Sequence, residues 1–263
     1  MMTENNSIDD SMVEVRCYFV RHKNALAVRA NFSQIYMDHY IHLLENQIKT
    51  DQLNDQNLKD ALAGCALHLA SRPWDEVSAW TIHFSNPLIN IFVTGNSNER
   101  NLIGRIFTEG IKDDQKNLFI AQINNFPKEP RRSVIEFDPE NSIFKIIENY
   151  YLQSEQRLGR FFKYSEEEFV FISAQPDCDE EWLTSLSDSD IKKLDSDEEL
   201  SLLEKRFYRY HCGCSKERIL RALRSASREE VFGDKESISI ECPRCAKSIP
   251  LNIKEFDEMK KDT

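Results

Sequence analysis

Four cysteines near the C-terminus are the residues of this chain with the most evident chemistry. Cys212 and Cys214 form a Cys-x-Cys pair, and after 27 intervening residues Cys242 and Cys245 form a Cys-x-x-Cys pair. Two close pairs at this separation can bring four thiolates into a tetrahedron, which is the arrangement that structural zinc prefers. We therefore predict that these four cysteines bind one zinc ion per chain.

A site with four thiolates argues against a catalytic role. Hydrolytic zinc sites keep one position open for water, whereas four sulfurs fill the coordination shell. The zinc deaminase signature places a proline directly before its cysteine pair, but here Pro243 lies inside the pair. His211 adjoins Cys212, and we expect it outside the ligand set. No arrangement of His, Ser or carboxylate residues in the sequence suggests an enzyme.

The short Cys-x-Cys spacing raises the hypothesis of a redox switch. Thiolates bound to zinc stay nucleophilic, and an oxidant that converts one of them to a sulfenic acid allows a nearby thiol to form a disulfide. Loss of zinc would then remove the free energy that folds a small metal-dependent domain. A purely structural zinc module is the alternative, and the spacing alone does not separate the two.

Short secondary-structure elements around the cysteines should hold them together. Apolar and polar residues alternate on both sides of the second pair, which predicts a two-stranded hairpin with Cys-Pro-Arg-Cys at its tip. Ser215 follows the first pair as a helix N-cap, and we expect a basic helix from there to about Arg228. A domain over residues 211–256 has too few apolar residues to fold unaided, so a metal is the expected source of its stability.

Charge is distributed unevenly just before and within this region. Residues 176–205, the acidic segment, contain 11 acidic and 3 basic residues, whereas residues 205–228, the basic segment, contain 8 basic residues and one acid. The two segments could attract each other or form separate solvated faces, and the sequence favours neither. Apolar residues diluted by charge predict one or two marginal helices, so residues 176–210 are assigned to an acidic helical linker.

The preceding residues, 12–175, contain strand-like and helix-like patterns in irregular order. Because helices do not alternate strictly with strands, the pattern favours an α+β fold over a doubly wound sheet. The predicted architecture is α+β, with an N-terminal domain of mixed sheet and helix, a helical linker and a small C-terminal zinc-binding domain. Strands are predicted at residues 13–21, 25–32, 77–85, 88–94, 102–107, 117–123, 133–137 and 168–174, and helices at 33–46, 57–71 and 142–156.

Composition limits the cellular setting. The chain of 263 residues is 40% hydrophobic and carries a net charge of −11, as expected for a globular protein. No apolar run reaches the roughly 18–20 residues of a membrane helix, and the stretch MMTENNSIDD at the start lacks the layout of a secretory signal. We therefore expect a cytoplasmic protein that does not engage a membrane.

The three remaining cysteines are not expected to react. An odd total of seven cysteines in a reducing compartment indicates thiols or metal ligands rather than structural disulfides. Cys17 and Cys65 lie in apolar patterns that predict buried, inert side chains. Cys178 lies among carboxylates in a segment that we expect to be exposed, and those charges should raise the pKa of its thiol.

Several stretches of this chain resemble the heat-shock protein 33 family of redox-regulated holdase chaperones. That family joins a Cys-x-Cys pair to a later Cys-x-x-Cys pair, and CGCSKERILRAL at residues 212–223 is similar to its first pair and the following helix. YYLQSEQ at residues 150–156 is similar to the Tyr-Phe-x-x-Ser-Glu-Gln element that ends a helix in the family's N-terminal domain. The opening EVRCYFVR at residues 14–21 also fits that domain.

The resemblance implies a cytosolic chaperone that works without ATP and binds unfolding client proteins. In the family, the reduced protein holds zinc through the four cysteines and is inactive. Oxidation pairs neighbouring cysteines, which here would be Cys212 with Cys214 and Cys242 with Cys245. Zinc then leaves, the zinc domain and the linker unfold, and the exposed apolar surface captures clients. Activated members form homodimers.

A zinc module that binds nucleic acid is the competing interpretation. Five basic residues follow the first cysteine pair on one predicted helix, namely Lys216, Arg218, Arg221, Arg224 and Arg228. The net charge of −11 and the neighbouring acidic segment oppose binding to a phosphate backbone. We therefore favour the chaperone hypothesis.

Overall fold

A computed structural model describes residues 12–112, 114–125 and 127–261. The N-terminal stretch used above to exclude a secretory signal lies outside these residues. Within these ranges, no helix has both the length and the apolar composition that a membrane crossing requires. The strands are β1 (Val13–Val20), β2 (Ala25–Asn31), β3 (Val77–Ser85), β4 (Leu88–Asn96), β5 (Asn101–Phe107), β6 (Leu118–Asn124), β7 (Arg131–Glu136), β8 (Gly159–Lys163), β9 (Glu168–Ala174), β10 (Leu200–Tyr210), β11 (Ser237–Glu241) and β12 (Ser248–Asn252). The helices are α1 (Ser33–Glu45), α2 (Gln52–Ala70), α3 (Ile143–Gln153), α4 (Glu180–Ser185), α5 (Asp188–Ile191), α6 (Leu194–Asp197), α7 (Lys216–Ala222), α8 (Arg228–Phe232) and α9 (Ile253–Lys261).

One large sheet organises most of the chain. Its strand order is β7-β6-β3-β4-β5-β10-β1-β2-β9-β8, and β11 and β12 form a separate hairpin. Neighbouring strands of the large sheet are antiparallel except β5 and β10, which run parallel and pair at two positions. In contrast, β10 pairs with β1 along the whole length of β1. Strand β10 therefore joins two antiparallel halves into one sheet.

Helix α2 lies against one face of this sheet and forms the centre of the core. The carboxylate of Asp51 caps the helix by accepting a hydrogen bond from the backbone N–H of Asn54 at 2.9 Å. The helix therefore begins at Gln52 rather than at the predicted residue 57. Every residue from Ala61 to Ala70 is buried, so burial on all sides stabilises this helix more than intrinsic helix propensity does.

Strands β2, β8 and β9 carry buried apolar residues on both faces of the sheet. In β9, Phe169 and Phe171 belong to the core around α2 and α3. Val170 and Ile172 alternate with them and belong to a second apolar cluster on the opposite face. Helices α4, α5 and α6 cover that opposite face, where Leu183 is completely buried. The acidic segment therefore packs on the sheet through its apolar residues.

The acidic segment is not helical along its whole length. Helices α4 to α6 confirm short helices in its first part. The assignment of residues 176–210 to a helical linker is wrong for residues 200–210, because they form β10. The guanidinium of Arg206 is buried in this strand and donates hydrogen bonds to the carbonyl oxygens of Leu69 at 2.6 Å and Arg72 at 2.5 Å. A buried arginine that is satisfied by carbonyls has the same sequence signature as an exposed one.

The other predicted elements of the N-terminal region are confirmed to within a few residues, and the α+β class is confirmed. The strand predicted at residues 168–174 is β9. Strand β8 was missed. It pairs with β9 at the edge of the sheet and carries the charged residues Arg160 and Lys163, which conceal its strand character in the sequence.

Glu204 and Arg206 pair locally on β10, but other ion pairs of the acidic and basic segments lie in different parts of the molecule. The Lys23 ammonium, in the turn between β1 and β2, lies 2.9 Å from the carboxylate of Asp179 in the acidic segment. In the basic segment, the Lys216 ammonium lies 2.8 Å from the carboxylate of Glu255 in α9. These contacts favour the alternative of separate faces over attraction between the two segments.

Candidate metal centre

The large sheet fixes the position of the first cysteine. The end of β10 follows β5: the backbone N–H of Arg209 donates to the carbonyl of Arg100, and that of His211 donates to the carbonyl of Leu102, both at 3.0 Å. Cys212 comes directly after these hydrogen bonds and its side chain is buried. One ligand position of the predicted site is therefore anchored to β5 rather than to the C-terminal region alone.

A left-handed glycine accommodates the one-residue spacing of the first pair. Gly213 has a φ of +63°, which glycine adopts at little cost, and both flanking sulfurs reach the same cluster. Ser215 then accepts a hydrogen bond from the backbone N–H of Arg218 at 3.3 Å and begins α7. The predicted cap is confirmed, but the helix ends at Ala222 rather than near residue 228.

The second pair lies in the tight turn between β11 and β12. The last paired position of this hairpin is Glu241 with Ser248. Beyond it, the backbone N–H of Cys242 donates to the carbonyl of Lys247 at 2.8 Å, and the N–H of Ala246 donates to the carbonyl of Cys242 at 2.9 Å. The predicted hairpin with Cys-Pro-Arg-Cys at its tip is confirmed.

The four cysteine sulfurs converge from these two parts of the chain. The Sγ atoms of Cys212, Cys214, Cys242 and Cys245 all lie within 4.8 Å of one another. The distance is 3.6 Å between Cys212 and Cys242 and 3.7 Å between Cys214 and Cys245. A Zn–S bond of about 2.3 Å places tetrahedral sulfurs about 3.8 Å apart, whereas a disulfide needs about 2.05 Å. The spacing fits metal ligands, so these four cysteines could hold a metal ion.

Electrostatics also favours a cation at this position. A hydrogen bond between the Cys212 and Cys242 sulfurs lowers the pKa of Cys242 and raises the pKa of Cys212 to about 12. Several thiolates this close together would repel one another without a positive charge between them. A divalent ion would displace the shared protons and stabilise all four thiolates.

A small apolar core supports the site from the C-terminal side. Its buried members, among the residues that the structure describes, are Leu220, Phe232, Ile249, Leu251 and Phe256. The rings of Phe232 in α8 and Phe256 in α9 pack with their centroids 5.4 Å apart. A core of this size rarely stabilises a fold without a metal or a covalent link. Helix α9 was missed because charged residues dominate IKEFDEMKK.

Two side chains outside the C-terminal region contact the cysteine turn, and sequence reasoning did not identify them. Nε2 of His42 in α1 lies 2.7 Å from the carbonyl oxygen of Cys245. The guanidinium of Arg105 in β5 donates from Nη1 to the carbonyl of Cys242 at 2.9 Å and from Nη2 to the Glu241 carboxylate at 3.1 Å. These partners lie far apart in sequence, so no local pattern could have indicated them.

The other cysteines and His211 lie outside the sulfur cluster. Cys17 and Cys65 are buried as predicted, and burial raises the pKa of the Cys17 thiol to about 11. Cys178 is half-buried rather than exposed, and the pKa of its thiol is raised by burial first and by neighbouring carboxylates to a smaller extent. His211 is exposed and is not part of the cluster.

The basic residues that motivated the nucleic-acid hypothesis do not share one helix. Arg228 belongs to α8, which is separate from α7. Lys216 is paired with Glu255, and the Arg218 guanidinium donates to the carbonyl of Gly213 at 2.8 Å. Part of the positive charge is therefore used within the C-terminal region.

Comparisons with known proteins agree with the resemblance read from the sequence. A family model described as "Hsp33 protein" matches residues 165–250, which include all four cysteines. The curated 33 kDa chaperonin of Agathobacter rectalis is 40% identical to this chain over 55 residues. That alignment covers 20% of this chain and 19% of the relative, so the chain spans about a fifth of the length of the curated relative that it matches.

The fold comparison covers almost the whole chain. The crystal structure of the 33 kDa chaperonin from Thermotoga maritima, described as a heat shock protein 33 homolog, matches with a TM-score of 0.71. The match covers 95% of this chain and 98% of that one, at 14% identity, so it shows a shared fold. Residues 165–250 thus match the Hsp33 family model, and the chain as a whole shares the fold of an Hsp33 structure.

The second stretch that resembles the Hsp33 family lies at the core of the large sheet. Residues 150–156 begin in the last turn of α3, where Tyr150 and Tyr151 are buried, and continue beyond its end at Gln153. Within that stretch, the Glu155 carboxylate accepts hydrogen bonds from the Tyr150 hydroxyl and from the Arg72 guanidinium, both at 2.8 Å. Glu155 thus fastens the end of α3 to the end of α2, which gives this stretch a structural role.

Proposed function

We propose that this chain is a redox-regulated holdase chaperone, which binds unfolding proteins without ATP after its cysteine site is oxidised. The observation that carries the proposal is the convergence of four sulfurs within 4.8 Å in a segment that matches the Hsp33 family. Two relatives carry the name 33 kDa chaperonin, which supports a chaperone rather than an enzyme.

In the reduced state, Cys212, Cys214, Cys242 and Cys245 would hold one zinc ion. Four thiolates close the coordination shell, so the ion would supply folding free energy rather than catalysis. The site connects the end of β10 with the tip of the β11–β12 hairpin. In this proposal, residues 12–175 together with β10 form the chaperone core, and residues 211–256 form the redox switch.

Oxidation by a peroxide would convert the four ligands into two disulfides. Following the family pattern, Cys212 would pair with Cys214 and Cys242 with Cys245. In each pair, one thiolate attacks the O–O bond, becomes a sulfenic acid and releases hydroxide. The second thiolate then attacks that sulfur, forms the S–S bond and releases a second hydroxide, so one peroxide is reduced for each disulfide. The oxidised sulfurs have lost the negative charge that binds zinc.

The acidic segment is the best candidate for the part that uncovers a client-binding surface. Leu183, Ile191 and Leu194 are buried against the face of the sheet that carries Phe162 and Ile172. Helices α5 and α6 have four residues each, and helices this short do not persist without packing. Release of the segment would expose the apolar sheet face to unfolding proteins.

One arginine fastens the acidic segment to the sheet. The Arg160 guanidinium, on edge strand β8, donates to the carbonyl oxygens of Leu183 at 3.0 Å and of Thr184 and Leu186 at 2.8 Å. These carbonyls lie at the C-terminal end of α4, where the last carbonyl oxygens of a helix have no hydrogen-bond donor within the helix. The segment is thus held by a few polar contacts and a narrow apolar face, which suits a part that detaches under stress.

Further features of the proposal come from the family. The partners would be unfolding client proteins, and the oxidised form would assemble as a homodimer in the cytoplasm. A structural zinc module, with or without nucleic-acid binding, is the alternative. The internal pairing of Lys216 makes the nucleic-acid version less favourable.

A paired assay tests the proposal. Reduced, zinc-loaded protein treated with hydrogen peroxide at mildly elevated temperature should release about one zinc per chain and then suppress light scattering from an unfolding client. The Cys178→Ser variant should behave like the wild type, because Cys178 lies outside the sulfur cluster. Zinc release without protection of the client would contradict the chaperone assignment, and salt-sensitive retention of RNA or DNA would support the alternative.

A further inference from the structure

The cysteine turn is held by the large sheet as well as by its own hairpin. The Arg105 side chain is 14% exposed, and its guanidinium lies over the ring of Phe107 at 4.1 Å from the ring centroid. This stacking orients the planar group, which then donates to the carbonyl of Cys242 and to Glu241. Arg105 of β5 therefore binds the β11–β12 hairpin at the end of β11.

A second donor comes from the last turn of α1. The side-chain amide of Asn46 donates to Nδ1 of His42 at 3.2 Å. Because Nδ1 accepts this hydrogen bond, Nε2 carries the ring proton and donates to the carbonyl of Cys245. The His42 ring also packs edge-on against Tyr210, with the centroids 5.6 Å apart. Asn46 and Tyr210 therefore fix the orientation of the His42 ring that contacts the cysteine turn.

Little apolar packing accompanies these two polar contacts. The apolar cluster at this contact joins Ile103 of β5 to the cysteines. A cavity of about 260 Å³ lies beside it, lined in part by His42, Arg105, Tyr210 and Ala246. Apolar burial stabilises an interface less where a cavity interrupts the packing. The hydrogen bonds from Arg105 and His42 are therefore the main specific contacts between the cysteine turn and the large sheet.

Both acceptors are main-chain carbonyls of proposed zinc ligands. Groups that hydrogen-bond to metal-ligating residues fix the orientation of those residues, and their loss typically costs about 10- to 100-fold in metal affinity. Cys212 is already registered against β5 through β10. With Arg105 and His42 in place, β5 and α1 set the position of the second cysteine pair relative to the first.

We infer that Arg105 and His42 are positioning residues of the zinc site, which dock the Cys242–Cys245 turn on the large sheet and slow the loss of zinc during oxidation. The inference rests on the zinc site of the proposed function and adds a regulatory element outside the C-terminal region. The metal and the docked state then stabilise each other, because each holds the same turn in place. The large sheet therefore helps to set the oxidant threshold of the switch.

The rate of zinc release tests this inference. Reduced, zinc-loaded full-length protein is mixed with a fixed concentration of peroxide, and zinc is followed with a chromogenic chelator. We expect Arg105→Ala to accelerate release about tenfold, which corresponds to about 1.4 kcal/mol. His42→Ala should act in the same direction, and Arg105→Lys, which keeps one donor, should lie between Arg105→Ala and the wild type. The matched control is Arg132→Ala, at an exposed position of β7.

A second readout separates positioning from general stability. Hydrogen exchange in the zinc-loaded reduced variants should increase in residues 237–248 and stay unchanged in α2, and the thermal midpoint of the large sheet should not move. The inference would be overturned if Arg105→Ala, and a double variant that combines it with His42→Ala, both released zinc at rates within about twofold of the wild type. Because zinc release is measured without a client, this outcome is distinct from a failure of the chaperone assignment.

Discussion

The large sheet and the C-terminal region of this molecule depend on different sources of stability. The sheet packs one face against α2 and α3, and the residues of α2 from Ala61 to Ala70 are all buried. The C-terminal region has a small apolar core around Phe232 and Phe256 and a cluster of four sulfurs. Apolar burial does not change with redox state, whereas a thiolate site does. A chain with both sources of stability can combine a sheet that is insensitive to redox state with a region whose stability depends on its thiolates.

The acidic segment lies between these two extremes. It has buried apolar residues such as Leu183, as the sheet does, but it is divided into short helices. Its last residues form β10, which pairs fully with β1 and leads directly to Cys212. A change at the cysteines can therefore reach the sheet through one continuous strand.

The largest expected effect comes from removing one ligand. Cys245→Ser should abolish zinc binding and unfold the C-terminal region, because a structural zinc site contributes about 10 kcal/mol or more to a small domain. The large sheet should keep its own thermal transition. Zinc content together with limited proteolysis checks both parts, and Cys178→Ser is the control. Cooperative loss of the sheet in Cys245→Ser would show that the two regions are one folding unit.

A medium effect is expected at the contact between the acidic segment and the sheet. Leu183 is completely buried, and Leu183→Ala should destabilise the docked segment by about 2–4 kcal/mol. Client protection should then begin at a lower temperature while the zinc content stays at the wild-type level. Leu203, which is 56% exposed, supplies the matched control Leu203→Ala. If Leu183→Ala and Leu203→Ala began to protect the client at the same temperature, release of the acidic segment would not be what exposes the client-binding surface.

The smallest effect concerns pH and should be confined to the large sheet. Burial raises the pKa of Asp60 in α2 to about 6. The folded state therefore binds more protons than the unfolded state between about pH 4 and 6, and stability falls as pH rises through this range. Asp60→Asn removes the free-energy cost of burying a charged carboxylate. It should therefore stabilise the sheet by about 1–2 kcal/mol at pH 7 and make no difference from the wild type below about pH 4.

The neighbouring carboxylate Asp55 gives a control of opposite sign. A hydrogen bond from His39, together with the ammonium of Lys59, lowers the pKa of Asp55. Its contribution is present above the pKa of the unfolded state and is lost as pH falls. Asp55→Asn should therefore destabilise the sheet at neutral pH. Urea unfolding across pH checks both variants, and zinc content should not change in either one.

The residues themselves explain which features could be predicted from sequence. The cysteine site was predictable because ligand spacing is local and Ser215 signals the following helix. The hairpin β1–β2 was predictable because its apolar residues have the period of a strand. Strand β10 was not, because a buried Arg206 has no signature that separates it from a surface arginine. Contacts of the cysteine turn with His42 and Arg105 are non-local, so only the fold reveals them.

Hydrogen exchange before and after oxidation tests the central claim most directly. Full-length zinc-loaded protein is labelled in its reduced state and again after peroxide has released the zinc. The account predicts that residues 211–256 and helices α4 to α6 lose protection, while α2 and strands β3 to β6 retain it. Unchanged protection in residues 211–256 after zinc release, or equal loss in α2, would contradict it.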